Sequence, residues 1–133
     1  MKFLLVLSER EMAADIWDQT IESFIKQKGG EVETLHSSNN VQLAVGLLSD
    51  PDSKYDEVIS GSFGGLDGGD WTKIRDAIPG GVRLTLLSGG FTDRKIKELK
   101  GKGVGAIDKD YFKDSFTLFL EDRFPQRSLK EIR

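Results

Sequence analysis

The 133-residue chain contains no cysteine, which excludes disulfides, thiolate nucleophiles and thiolate metal sites. It has a single histidine, His36, so any imidazole chemistry would have to run through that one side chain. A cationic excess is also missing. Lys and Arg number 19 against 22 Asp and Glu, a net charge of −3, so no overall basic field gathers nucleic acid or an anionic membrane. No apolar run approaches the roughly 20 residues of a membrane span. Phe3–Leu7 is too short for the apolar region of an export signal and leads at once into Ser8-Glu9-Arg10-Glu11. The expectation is a cytoplasmic protein with no membrane or nucleic-acid partner. At 38% hydrophobic residues, with no shift in composition, the chain suits one domain over residues 1–124 and a polar tail over 125–133.

Glycine is plentiful, and its densest run organises the chain. Asp56-Glu57-Val58-Ile59-Ser60 reads as a buried strand, and Gly61-Ser62-Phe63-Gly64-Gly65-Leu66-Asp67-Gly68 as a loop poor in side chains that follows it. Phe3–Leu7 is a continuous apolar run of the kind buried on both faces of a parallel sheet. Ser8 and Glu11 form a capping box for a helix with apolar positions at Met12/Ala13, Ile16/Trp17, Thr20/Ile21 and Phe24/Ile25, which Gly29-Gly30 stops. Residues 31–36 alternate like an exposed strand. Asn39 or Asn40 is positioned to cap a helix through Val41, Ala44, Leu47 and Leu48. Asp70 is the expected cap of a short helix burying Trp71, Ile74 and Ile78. Residues 82–87 are a fourth strand, Thr92 caps a helix carrying Ile96 and Leu99, and residues 104–107 are a fifth strand. Asp110 begins a last helix with Phe112, Phe116, Phe119 and Leu120, which Pro125 breaks.

Five strands alternating with five helices predict an α/β doubly wound parallel sheet with right-handed crossovers, a flavodoxin-like (βα)5 unit of strand order 2-1-3-4-5. The crevice of that order lies at the carboxyl ends of strands one and three. The functional face then comprises Ser8 and Glu9, Ser60 to Gly65, Ser88 to Gly90, and Asp108 with Lys109.

The strand Asp56–Ser60 with its loop ending Leu66-Asp67-Gly68, the strand end Leu86-Leu87-Ser88, and Lys109-Asp110-Tyr111-Phe112 together resemble the CheY-like receiver domains of two-component response regulators, over residues 2–121. In that family an aspartate after strand three accepts a phosphoryl group, and an acidic pair after strand one helps hold Mg²⁺. The resemblance places Gly61 at the phosphoacceptor position and Leu7 and Ser8 at the acidic pair, with Glu9 one residue away. The aromatic switch position falls on Ala106. Ser88 and Lys109 match the family pattern. The resemblance therefore implies a pseudo-receiver: a non-enzymatic signalling domain, without metal or cofactor, that acts by protein–protein contact outside the usual phosphorelay chemistry. Lys109, with no phosphoryl group to bind, is expected to pair with Glu9 or Asp108.

Three further patterns bear on function. The backbone of Gly61, Gly64, Gly65 and Gly89, with the Ser60, Ser62 and Ser88 hydroxyls and Lys109, is the material of a cradle for a small anion or phosphorylated ligand. The cationic helix bearing Arg94, Lys95, Lys97, Lys100 and Lys102 is a candidate face for an acidic protein partner. Ser60-Gly61-Ser62-Phe63-Gly64 comes near the Gly-x-Ser-x-Gly elbow of serine hydrolases, but its first glycine is absent. Gly101-Lys102-Gly103-Val104-Gly105 precedes a strand where a dinucleotide fingerprint follows one, so it reads as a helix stop.

Overall fold

The computed structural model describes residues 1–13 and 17–125. Its strands are β1 (Lys2–Val6), β2 (Glu31–Thr34), β3 (Glu57–Gly61), β4 (Arg83–Ser88) and β5 (Val104–Asp108). All neighbouring strands run parallel, in the order β2-β1-β3-β4-β5. The helices are α1 (Glu9–Ala13), α2 (Trp17–Gln27), α3 (Asn40–Ser49), α4 (Trp71–Ala77), α5 (Asp93–Gly101) and α6 (Phe112–Arg123), with a 3-10 turn at Lys109–Tyr111 before the last. Ile16, expected on the first helix face, and residues 126–133 of the expected tail lie outside the described residues.

The alternation of strand side chains divides the core in two. Phe3, Leu5 and Leu7 pack with Ile59, Leu87 and Ile107 against α2 and α6. Leu4 and Val6 pack with Val58, Leu84 and Leu86 against α3, α4 and α5. Because β1, β3 and β4 are covered on both faces, their residues are buried in unbroken stretches, polar Glu57, Ser60 and Thr85 included, whereas the edge strand β2 alternates between exposed and half-buried residues.

Two of the expected helix caps form. Ser8 N–H donates to Glu11 Oε1 (3.0 Å) while Glu11 N–H donates to Ser8 Oγ (3.2 Å), a complete capping box. Thr92 Oγ1 accepts the Lys95 N–H at 3.1 Å. The Asn and Asp caps do not. Asn39 and Asp70 make no side-chain cap bond. Asn40 is buried instead, donating to the carbonyls of Leu7 (2.7 Å) and Leu35 (2.9 Å), so it clamps the ends of β1 and β2 together. Asp110 also does other work: its Oδ2 accepts the Gly90 N–H at 3.0 Å, and Asp108 caps the turn by accepting the Asp110 N–H at 2.9 Å. The Gly101–Gly105 stretch is the helix stop expected of it, with the Lys102 and Gly103 N–H groups returning to the carbonyls of Leu99 (2.9 Å) and Lys100 (3.0 Å).

Candidate functional site

The carboxyl ends of β1, β3, β4 and β5 lie side by side, with Val6 opposite Ser60, Gly61 opposite Leu87, and Ser88 opposite Asp108. This register brings the sequence-derived positions to one edge of the sheet. Gly61 ends β3 and is buried. Leu7 follows β1 and is 0% exposed, a member of the α2/α6 core. Ser8 is committed to the α1 cap, and Glu9 points to an exposed surface. Ser60 is buried and donates to the Gly61 carbonyl (2.8 Å), and Ser88 donates to the Gly89 carbonyl (3.3 Å). Ala106 is half-buried in β5 beside Leu86.

The residue that sequence reasoning missed is Glu11. Its carboxylate lies where a side chain at Gly61 would be. A Cβ built on Gly61 would overlap Glu11 Oε1 and come within 3.2 Å of its Cδ. Glu11 Oε2 pairs with Lys109 Nζ, so the partner of Lys109 is neither Glu9 nor Asp108. The pair is largely covered, with side chains 13% exposed at Glu11 and 25% at Lys109, and the ammonium also lies 5.6 Å from the Trp17 ring centroid. The signal was present in the sequence, in the capping box that brings Glu11 back over Ser8, but a cap alone accounts for that spacing.

These donors do not suit a hard divalent cation. Mg²⁺ takes carboxylate oxygens, whereas here Leu7 is core, Gly61 has no side chain, and the nearest carboxylate already holds an ammonium. A small anion in this crevice would have to displace Glu11 from Lys109. His36 is exposed after β2.

The glycine loop is closed on itself. Ser62 O accepts the Trp71 N–H (3.4 Å), Phe63 O the Asp70 N–H (2.8 Å) and Gly65 O the Gly69 N–H (2.9 Å). Phe63 has a φ of 50°, a left-handed conformation uncommon for a residue with a side chain, and the following Gly64 and Gly65 take φ of 114° and 115°. Phe63 thereby lines a groove of about 740 Å³ between α3 and α4, with Asn39, Gln42, Asp70 and Lys73 on its walls. Asp67, at the loop's far end, pairs with Lys95 of α5. Each partner shifts the other: the hydrogen bond and charge of Lys95 hold the Asp67 carboxyl below its usual 3.8, and donating that hydrogen bond to Asp67 raises Lys95 above 10.5.

The cationic helix is thus less uniform than its sequence. The Lys95 side chain is only 16% exposed and contacts both Asp67 and Glu98, and Lys102 lies 3.8 Å from Glu98. Arg94, Lys97 and Lys100 are exposed. Among the described residues no helix is long and apolar enough to cross a membrane, and no group of three or more His, Asp or Glu side chains is placed to share a metal ion.

The all-parallel strand order and the two helical layers define a receiver-like fold. Solved structures match it across nearly the whole chain. A two-component response regulator from Clostridium difficile superposes with a TM-score of 0.60 at 16% identity, covering 92% of this chain and 93% of its own. The CpaE2 pilus assembly protein of Sinorhizobium meliloti 1021 superposes with a TM-score of 0.65 at 12% identity, covering 91% and 98%. No protein-family model and no curated protein matches the sequence.

Proposed function

We propose that this chain is a signalling domain that keeps the receiver scaffold without aspartyl phosphorylation, and acts by contact with another protein. The observation that carries this reading is the end of β3. Gly61 offers no nucleophile, and the space above it is filled by a carboxylate that already has a cation. Phosphoryl transfer to an aspartate also needs a divalent cation to neutralise the phosphoryl oxygens, and the residues at the ends of β1 and β3 do not fit one. A domain with this arrangement transmits by its surface. The face favoured by charge is the exposed set Arg94, Lys97 and Lys100 on α5, which suits an acidic partner.

Acetyl phosphate with Mg²⁺ should leave the intact mass of the protein unchanged. A gain of one phosphoryl group on any aspartate would overturn the reading.

A further inference from the structure

The two carboxylate oxygens of Glu11 have different partners. Oε1 accepts the Ser8 N–H and belongs to the helix cap, while Oε2 holds Lys109 from a position 98 residues away in the chain. The first turn of α1, which begins at Glu9, takes its cap from Ser8 and Glu11. The same glutamate thus joins that first turn to Lys109. Lys109 opens the 3-10 turn that leads from β5 into α6.

We propose that Glu11 is a resident carboxylate latch: it fills the space left by Gly61, holds Lys109, and ties α1 to the turn after β5 so that the two open together when the pair breaks. This rests on the reading of the site as free of phosphoryl chemistry, and gives that site its regulation. The negative charge at the end of β3 comes permanently from within the chain, so whatever competes for Lys109 or neutralises Glu11 releases both segments. A Cβ at position 61 would require the Glu11 carboxylate to shift, and with it the bonds it makes to Ser8 and Lys109.

Hydrogen exchange of the full chain, with no donor, metal or partner added, tests the latch. Glu11→Gln keeps the cap, because glutamine serves in a capping box as glutamate does, and removes only the charge. It should speed exchange in residues 8–13 and in residues 108–112 alike by about tenfold, as loss of a charge-assisted bond at a local opening would. Lys109→Met should do the same, and the double variant should be no faster than either single one. Relocating the carboxylate gives a second test. Gly61→Asp should lower the thermal midpoint of the parent, where two carboxylates would crowd one space. Combined with Glu11→Ala it should lower that midpoint much less, and should protect residues 108–112 again while residues 8–13 stay open. Unchanged exchange in Glu11→Gln, or an equal loss from Gly61→Asp in both backgrounds, would overturn the latch. A phosphorylated parent would overturn the proposed function and leave these exchange results as they are.

Discussion

Leu7 stands one residue beyond β1 with its side chain wholly inside the α2/α6 core. A carboxylate there would be buried without a partner, so Leu7→Asp should cost about 3 kcal/mol or more in urea denaturation. A loss below about 1 kcal/mol would place the side chain in water. The chemistry Gly61 and Leu7 lack is legible in their identities, since glycine has no nucleophile and leucine no oxygen, while their place at the site comes from the resemblance. Glu11 was not legible as a site residue. Its spacing from Ser8 already had a local explanation, and its approach to Lys109 follows only once the parallel order sets the ends of β1, β3 and β5 side by side.

At the scale of elements, strands were easier to place than caps. β1 declares itself by a continuous apolar run and β3 by Val58-Ile59 before the glycine loop, with boundaries shifted by a residue: β1 spans Lys2–Val6 where residues 3–7 were expected, and β3 reaches Gly61. Asn40 and Asp110 had the right residue type for caps but found tertiary partners, in the Leu7 and Leu35 carbonyls and in the Gly90 N–H. Such side chains bond whichever backbone group the fold presents, and the sequence does not show which one that is. Helix α5 carries two predictions. The Asp67 carboxyl is held below 3.8 by Lys95, so its contribution is present above that pH and lost as the pH falls through the lowered value. An NMR titration should show this depressed midpoint in the parent and its return toward 3.8 in Lys95→Met. Reversing the exposed Arg94 and Lys97 to Glu should change stability by about 0.5 kcal/mol or less, yet slow association with an acidic partner and weaken its salt dependence. Unchanged association would remove this face from the account.

At the scale of the whole molecule, the sheet is pinned at both ends by charge. Opposite the Glu11 and Lys109 edge, Glu57 at the start of β3 is 0% exposed; it accepts the Thr85 hydroxyl (2.6 Å) and pairs with Arg123 at the end of α6. Arg123 also lies 4.7 Å from the Phe119 ring centroid. Removing one member of a covered pair strands the other, so Arg123→Met should cost about 3 kcal/mol, read by thermal or urea unfolding. The strand order is the commonest one for five such units, and the parallel sheet and its two helical layers followed from the alternation of strands with helices. Neither charged end did, because both join residues far apart in sequence. The proposed function requires that this receiver-like scaffold not respond to a phosphoryl group. The most direct measurement is a two-dimensional amide NMR spectrum of the full chain with and without beryllofluoride, a mimic of the phosphoryl group, in the presence of Mg²⁺. No change is expected at Leu7, Gly61, Ser88 or Lys109 beyond that produced by ionic strength. Saturable shifts converging on those four positions would contradict the proposed function.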